Sequence, residues 1–278
     1  MKLYLTIILS LSTFLFSNTI INYKDIEIKK DAFYIKGTNN KVNGTVTRYH
    51  PNGKIESELN HIDGKANGLG KAYTSAGKLV SEFTFKNGLL DGTAKTYYPS
   101  GKLHDIATYK NNELDGLSKT YHENGLLAEE TMLKNGKMNG TKKVFYPSGK
   151  IKDAMNYKND NLVGTWKSYY ESGAIKASTE TNEKKATRIL KTYYQSGNIS
   201  MVANYNKDDL EDGPLKYYRE DGTQLFIVIF KKGKAVSGIL YKQNGLKDRD
   251  MNELDFKELG YSTSVKNPKS NHVLETTR

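Results

Sequence analysis

The chain has 278 residues, no cysteine and a formal net charge of +11 at pH 7. Its mean hydropathy of −0.67 and hydrophobic content of 37% argue against one large globular core, and the missing cysteine excludes disulfides, thiolate metal sites, cysteine nucleophiles and a lipoprotein signal. The positive charge favours acidic partners or polyanions such as envelope polymers, anionic lipid surfaces and nucleic acid, or it serves solubility alone.

Residues 1–17 are predicted to be a secretory signal peptide. Lys2 precedes an uncharged run from Leu3 to Phe16, and a polar sequence follows. A membrane anchor is the alternative, but this run is shorter than the roughly 20 residues that span a bilayer. We expect cleavage after Ser17 and export to the periplasm or cell envelope, with secretion beyond it left open.

Residues 18–43 are predicted to form an N-terminal cap. Ile26, Ile28, Phe33 and Ile35 alternate with polar residues, which is typical of one or two short strands. Such strands cover the edge that a repeat array otherwise exposes.

Residues 44–245 repeat with a period of 24 residues. The clearest markers are eight glycines, the last of them one residue late: Gly53, Gly77, Gly101, Gly125, Gly149, Gly173, Gly197 and Gly222. Repetition at this length indicates stacked supersecondary units, none of which buries its apolar face alone. The sequence therefore predicts a solenoid of eight units.

Each unit is predicted to be a β-hairpin. We count from its opening glycine, such as Gly92, as position 0. Positions +1 to +6 form a strand, +7 to +10 a turn, and +11 to +18 a returning strand. In Tyr98-Pro-Ser-Gly101, proline suits a type I turn and glycine suits the left-handed position that follows it. The eight repeat glycines are thus assigned a structural role in turns.

Two columns of side chains are the candidate binding surface. Because strand residues alternate between faces, positions +3 and +5 share one face of the sheet. The lysine column at +3 is Lys71, Lys95, Lys119, Lys143, Lys167, Lys191 and Lys216, and the aromatic column at +5 includes Tyr73, Tyr97, Tyr121, Tyr169 and Tyr193. With a four-residue turn, position +3 faces +14 and position +6 faces +11, so Lys71 faces Glu82 and Lys119 faces Glu130.

The pattern Gly-x-x-x-x-Tyr-Tyr-x-x-Gly-x-Leu, as in Gly92 to Leu103, resembles the MORN repeat (membrane occupation and recognition nexus). The Asn-Gly openings and trailing Tyr-Lys-Asn segments look like the bacterial variant found in antitoxin-like MORN proteins. The resemblance implies an all-β fold, an elongated single-layer antiparallel sheet of about eight stacked hairpins. It also implies no catalytic activity, but scaffolding, protein contacts or membrane association.

Departures from the pattern occur late in the array. Arg188 replaces the opening glycine of the seventh unit, the preceding returning strand from Ala177 is polar, and the eighth unit is shifted by one residue. We expect this region to be the least regular part of the sheet.

Residues 246–278 are predicted to be a C-terminal cap and a flexible tail. Asp250 to Gly260 is predicted to form a short helix, with Gly260 just beyond its end and Met251, Leu254 and Leu259 facing inward. The stretch from Ser262 onward has few apolar residues and is typical of a flexible tail.

No pattern of residues indicates an enzyme, a cofactor or a metal site. The histidines occupy unrelated repeat positions, except that His50 and His122 share +6, and no Walker loop, catalytic triad or zinc signature occurs. Glu129 and Glu130 offer a pair of carboxylates, which we interpret as part of a solvent-exposed strand face and not as a glycosidase pair. The aspartates Asp91, Asp115 and Asp212 are explained by turn formation without calcium.

Three functions remain open. The first is a non-catalytic envelope scaffold that binds a protein partner through its tyrosines. The second is a surface that binds anionic membrane or envelope polymer through the lysine column, with nucleic acid disfavoured. The third, from the resemblance, is a toxin-neutralising or immunity-like protein, and the signal peptide counts against a cytosolic antitoxin.

Overall fold

The computed structural model describes residues 19–182, 184 and 186–263, which form mostly β-strands. These residues belong to two compact units that meet in sequence between Leu114 and Asp115. The signal peptide predicted for residues 1–17 and nearly all of the predicted tail lie outside the described residues. Within the described part of the chain, no helix is long and apolar enough to cross a bilayer.

Unit 1 holds the N-terminal cap and the first hairpins of the array. Its strands are β1 Ile20–Asn22, β2 Ile26–Lys29, β3 Ala32–Ile35, β4 Gly44–Tyr49, β5 Ile55–Ile62, β6 Lys65–Tyr73, β7 Leu79–Lys86, β8 Leu89–Tyr97, β9 Leu103–Lys110 and β10 Glu113–Leu114. Strands β4 to β10 pair in chain order and antiparallel, while β2 and β3 form a separate hairpin. The hairpins predicted from the repeat are confirmed here.

Unit 2 continues the same hairpin pattern and ends in a short helix. Its elements are β11 Gly116–Tyr121, β12 Leu127–Lys134, β13 Lys137–Phe145, β14 Ile151–Lys158, β15 Asn161–Tyr169, β16 Ile175–Asn182, β17 Thr187–Tyr193, β18 Ile199–Tyr205, β19 Gly213–Tyr218, β20 Gln224–Lys231, β21 Lys234–Tyr241, β22 Lys247–Asp250 and α1 Glu253–Glu258. All neighbouring strands are antiparallel. The last hairpin, β21–β22, extends the pattern beyond the eight predicted units.

The same type of turn closes each hairpin of the repeat. In the turn at Gly101, the N–H of Gly101 donates to the carbonyl of Tyr98, and the N–H of Tyr98 donates to the carbonyl of Lys102, each at 2.8 Å. The eight repeat glycines have φ between 82° and 95°. Glycine adopts this left-handed conformation without the steric cost that a Cβ imposes.

The predicted pairing of position +6 with +11 is wrong. Tyr97 at +5 faces Leu103 at +11, because Tyr98 at +6 is already bonded to Lys102 inside the turn. The returning strand carries one extra residue at this point, which makes a β-bulge. The outgoing strand stays regular, so positions +3 and +5 still share a face.

The opening glycines also lie in bulges, which explains a second difference from expectation. Where Gly92 opens a unit, at φ +126°, the pairing of β7 with β8 shifts register between Phe83 and Phe85. Arg188 replaces that glycine in β17, and β16–β17 has six consecutive pairs without a shift. The strand pairing around Arg188 is therefore regular, because a residue that avoids positive φ keeps the ladder straight. The connection before Arg188, where an irregularity was also predicted, lies partly outside the described residues.

The eighth unit is irregular, as its one-residue shift predicts. Strands β18 and β19 retain two pairs, Met201 with Tyr217 and Val202 with Lys216. The segment between the strands closes on itself through a bond from the N–H of Asn206 to the carbonyl of Leu210.

The N-terminal cap covers an edge of the sheet, as expected, and also a face, which was not expected. The β2–β3 hairpin lies on the face that carries positions +2 and +15, where Phe33 stacks on His61 with ring centroids 4.8 Å apart. The edge of β4 is covered by β1, which also belongs to the cap and pairs in parallel, with Ile20 opposite Thr45. The chain between β1 and β4 forms the cap hairpin, and this return makes the parallel pairing possible.

The C-terminal cap is helical, but its buried residues differ from those predicted. Asn252 caps the N-terminus of α1, and the N–H groups of Gly260 and Tyr261 bond back to the carbonyls of Lys257 and Phe256 in a Schellman motif. Met251 and Phe256 are buried, at 6% and 0% exposure.

The inward orientation predicted for Leu254 and Leu259 is wrong, since they are 61% and 39% exposed. The helix starts only after Asn252, and Leu254 then lies about 200° around the axis from buried Phe256.

Candidate functional site

The lysine and aromatic columns lie on one face of the sheet within each unit, which we call the lysine–aromatic face. Unit 1 contains Lys71, Lys95, Tyr73 and Tyr97, and the other predicted members belong to unit 2. Within each unit, the returning strands place position +14 between successive lysines. The +14 column, with its members in chain order, is Glu58, Glu82, Ile106, Glu130, Ala154, Ser178 and Val202.

In unit 1, glutamates stand between the lysines and bind the tyrosines. The hydroxyls of Tyr73 and Tyr97 donate to the carboxylates of Glu58 and Glu82 at 2.7 Å. Burial, together with these carboxylates, raises the pKa of each tyrosine to about 12. Lys95 Nζ lies 3.9 Å from the same Glu82, and Lys71 faces Glu82 as predicted. This part of the face is balanced in charge.

In unit 2, the lysine column has a segment without ion pairs among the described residues, although Glu130 lies opposite both Lys119 and Lys143. Lys119 pairs with Glu130 at 3.6 Å, in the register that the sequence predicts. Lys143 and Lys167 flank Ala154, and neither forms an ion pair with any carboxylate among the described residues. Lys167 is exposed, and Lys143 is half-buried.

A shallow cleft of about 300 Å³ opens between these two lysines, and we call it the Lys143–Lys167 cleft. Its lining residues are Thr141, Lys143, Ala154, Met155, Asn156, Thr165 and Lys167. Ammonium groups, hydroxyls and an amide are donors that suit the oxygens of a carboxylate or phosphate.

A second, larger cleft lies on the opposite face of unit 1, beneath the N-terminal cap. This cap cleft has a volume of about 370 Å³, and its lining residues are Tyr23, Asp31, Phe33, Val46, Arg48, Ser57, Leu59, His61, Gly64, Lys65, Ala66 and Gly88. His61 is 4% exposed, and its Nδ1 lies 3.0 Å from the carbonyl of Leu59. Burial lowers the pKa of His61 below its ordinary value, against the opposing effect of this hydrogen bond.

Position +6 forms clamps between repeats, a role that the sequence reasoning missed. The side chains of Tyr146, Tyr170 and Tyr194 donate to the backbone carbonyl at +5 of the next repeat, at 2.7–2.8 Å. His50 and His122 make the same contact through Nε2, which explains why these two histidines share a repeat position. The recurrence of side chains with a donor at +6 is the signal that could have revealed it.

A second set of clamps joins neighbouring turns. The side chains involved lie at +8 or +10 and donate to a carbonyl in the next turn, as Asn124 does to Pro147 and Lys150 to Glu171. Arg219, at +6 of the eighth unit, belongs to the first set and donates to the carbonyls of Tyr241 and Lys242 in the last hairpin. These donors therefore stabilise the stack of repeats directly.

The clamp at Tyr170 gives a matched pair of variants. We expect Tyr170→Phe to lower the free energy of unfolding by about 1 kcal/mol, because the carbonyl of Tyr193 loses its donor. The neighbouring Tyr169→Phe should change it by less than about 0.5 kcal/mol, since no partner of the Tyr169 hydroxyl occurs among the described residues. Urea unfolding of both variants checks the difference, and equal effects would contradict the clamp.

The burial of His61 predicts a pH dependence for unit 1. Its pKa is lower in the folded than in the unfolded chain, so the unfolded chain binds more protons in the window below about pH 6.5. Stability should therefore be complete above this pH and fall as the pH drops through the window. The charged groups that line the same cleft are Asp31, Arg48 and Lys65.

The measurement for His61 compares urea unfolding at pH 7.5 and pH 5.5 in the wild type and in His61→Asn, with unit 1 followed by NMR. Asparagine keeps a donor near the carbonyl of Leu59 but does not titrate. The variant should lose less stability on acidification than the wild type, and an equal loss in both would refute the assignment.

Metal binding finds no support in the described part of the chain, where no three histidine or carboxylate side chains cluster closely enough to hold an ion. Of the turn aspartates, Asp115 accepts the N–H of Asn135 at 3.3 Å, and Asp212 accepts the amide of Asn206 at 3.4 Å. Both aspartates thus accept hydrogen bonds within or between turns, in agreement with the turn role expected for them.

Comparison with known proteins identifies the repeat. The family model described as MORN repeat variant matches six consecutive segments, residues 42–63, 66–87, 90–111, 114–135, 138–159 and 162–182. No curated protein sequence matches the chain.

Solved structures are similar only in a coarse sense. A Photorhabdus luminescens Tc holotoxin pore with a TccC3 mutation is 11% identical over 78% of this chain and 16% of its own, with a TM-score of 0.20. The crystal structure of TcdB2-TccC3 is 12% identical over 79% of this chain and 17% of its own, with a TM-score of 0.16. A porin-like protein from Bacteroides uniformis is 9% identical over 70% of this chain and 88% of its own, with a TM-score of 0.20. This chain thus spans less than a fifth of those toxin chains, and TM-scores this low support no inference from them.

Proposed function

Because this chain belongs to the MORN repeat variant family, whose members are generally non-catalytic repeat modules, we propose that it is a repeat scaffold that binds a protein partner through its lysine–aromatic face. The family itself suggests a scaffold or binding role. The choice of a protein partner rests on the chemistry of that face.

The observation that carries this proposal is the balance of charge in unit 1. Glu58 and Glu82 alternate with Lys71 and Lys95, and both glutamates also hold tyrosine hydroxyls. A surface of alternating charge repels a polyanion as much as it attracts one, whereas it suits a protein surface with charges of both signs. Tyrosine adds contact area with little loss of side-chain entropy on binding.

A second candidate function is supported by the Lys143–Lys167 cleft. Both lysines lack ion pairs in the described residues, and donors line the space between them. An anionic membrane or envelope polymer would find its best contact here, through carboxylate or phosphate oxygens.

We further propose that the protein acts in the cell envelope after export. The support is the composition of residues 1–17, with one lysine and an uncharged run before Ser17. N-terminal sequencing of the protein from envelope fractions tests this, since a mature chain should begin at Asn18.

The experiment that separates the two functions is crosslinking capture from the native envelope fraction at 0.1 and 1 M salt, together with sedimentation on anionic liposomes. A protein partner held by the lysine–aromatic face should be captured at both salt concentrations and lost from a Tyr73→Ser, Tyr97→Ser variant. A polyanion binder should lose retention steeply with salt.

The charge variant is Lys143→Gln with Lys167→Gln, and the control is Lys137→Gln with Lys158→Gln, two exposed lysines near hairpin ends in the same repeats. If liposome retention is the same for both double variants, the anionic-surface function is wrong. If capture of the partner is unaffected by the tyrosine variant, the protein-binding function is wrong.

A further inference from the structure

The cap cleft is a cavity on the face opposite the lysine–aromatic face, so the two surfaces can be tested independently. Its volume of about 370 Å³ lies within the range of small-ligand sites, roughly 300–1,000 Å³. The cap hairpin forms one wall and the sheet forms the other. Main-chain hydrogen bonds hold the walls together, from the N–H of Phe33 to the carbonyl of Gly64 and from the N–H of Gly64 to the carbonyl of Val42, each at 2.8 Å.

The walls of the cleft are aromatic and aliphatic. Phe33 stacks on His61 at an interplanar angle of 18°, and Tyr23 meets Phe33 edge-on at 6.3 Å. Val46 and Leu59 contribute the aliphatic part of the sheet wall. A flat apolar ring therefore matches the shape and the surface of this cavity.

The charges around the cleft cancel. Arg48 lies over the ring of Tyr23 at 5.4 Å and pairs through its Nε with Glu56 at 3.1 Å. The other charged lining residues, Asp31 and Lys65, are of opposite sign. The charged lining residues and Glu56 together carry no net charge, so the cleft as a whole favours a neutral ligand over an ionic one.

His61 supplies the polar contact. The carbonyl of Leu59 can only accept, so Nδ1 of His61 must donate to it. In the neutral imidazole Nε2 is then an acceptor, and no donor to it occurs among the described residues. This acceptor is open to an O–H or N–H group that a ligand in the cleft brings to it.

We infer that the cap cleft binds a neutral aromatic ring that carries one hydrogen-bond donor, such as a phenol or an indole, with its donor bonded to Nε2 of His61. Two sources have this chemistry: a free small molecule, and a tyrosine or tryptophan side chain of another protein. The ring packs beside the Phe33–His61 stack, against Val46 and Leu59 of the sheet wall, and the donor fixes its orientation.

The test uses the full chain at pH 7.5 and compares p-cresol with toluene, which has the same ring and methyl group but no hydroxyl. Saturation-transfer and ¹⁵N-histidine NMR report binding and the state of Nε2. We expect p-cresol to bind roughly threefold to tenfold more tightly than toluene and to shift the Nε2 signal of His61. Equal affinities with an unchanged Nε2 signal, or no binding of either compound, overturn the inference.

Two variants locate the site. Ala66→Phe fills the cleft and should abolish binding of p-cresol, whereas the control Ala76→Phe adds the same side chain at an exposed turn and should not. His61→Phe keeps a ring against Phe33 but removes the acceptor, so the preference for p-cresol over toluene should vanish. Retained preference in folded His61→Phe would contradict the inference, and the wild-type comparison stands even if this variant fails to fold.

The source of the ligand is decided by a third arm, in which p-cresol competes with an extended peptide that carries one central tyrosine and with the same peptide carrying phenylalanine. Tighter binding of the tyrosine peptide than of p-cresol supports a protein side chain. Binding of p-cresol with no binding of either peptide supports a free small molecule. A phenylalanine peptide that binds as well as the tyrosine peptide overturns the role of the donor.

Discussion

Replacing Phe256 with alanine is expected to lower the free energy of unfolding of the C-terminal part of unit 2 by about 3–5 kcal/mol. Phe256 is completely buried in a cluster whose members come from α1 and the last strands of the sheet: Ala203, Leu215, Phe226, Val228, Phe230, Ala235 and Met251. Alanine would leave a cavity where the helix contacts the sheet through a large, completely buried aromatic side chain. The cap should then detach or loosen.

Leu254→Ala is the matched control for Phe256→Ala, since it removes a large apolar side chain from the same helix at a position that is 61% exposed. We expect a change of less than about 0.5 kcal/mol. Urea unfolding of both variants, with amide hydrogen exchange in β20 and β21, measures the effect. A large loss in Leu254→Ala would instead support the inward orientation that the sequence suggests for this residue.

Replacing Gly64 with alanine is expected to lower the free energy of unfolding of unit 1 by about 2–5 kcal/mol, from strain and overpacking together. Gly64 has φ +75°, and an added Cβ would lie 2.7 Å from the carbonyl oxygen of Phe33. The same glycine exchanges main-chain bonds with the cap. The variant should therefore push the cap hairpin away from the sheet and widen the cap cleft.

Gly88→Ala isolates the contact from the backbone strain. Gly88 has φ +86° in the same type of hairpin connection, but its nearest neighbour would be Lys65 Cβ at 3.8 Å, an ordinary contact. Gly88→Ala should lower the free energy of unfolding by only about 1–2 kcal/mol. Hydrogen exchange at the N–H of Phe33 should accelerate in Gly64→Ala and not in Gly88→Ala, and similar losses in both variants would show that the cap does not depend on Gly64.

The local chemistry of the repeat was predictable from the sequence. Turn residues act through their own dihedral angles, so the glycine at +9 could be assigned a left-handed turn from its spacing alone. Cross-strand neighbours follow from the turn length, and Lys71 is opposite Glu82 as expected. These features depend on residues a few positions apart, and the repeat displays them many times.

Contacts between different elements were not predictable in the same way. The sequence predicts that Lys71 faces Glu82, but it does not predict that Glu58 and Glu82 accept hydrogen bonds from Tyr73 and Tyr97. Periodicity places residues on a face without showing which side chains reach one another. The cap cleft depends on Phe33 meeting His61 from a separate hairpin, and no spacing in the sequence encodes that contact.

The clamps at +6 have a consequence for how such an array changes in length. Each of these side chains reaches one repeat ahead, as Tyr146 reaches Tyr169 and Tyr170 reaches Tyr193, and both contacts span 23 residues. Duplicating or excising one whole 24-residue unit inside unit 2 returns every donor to an equivalent carbonyl. A one-residue shift is also accommodated, since the clamp from Tyr194 to the carbonyl of Tyr218 spans 24 residues. Duplication of whole repeats can thus lengthen the lysine–aromatic face while the contacts between neighbouring repeats stay unchanged.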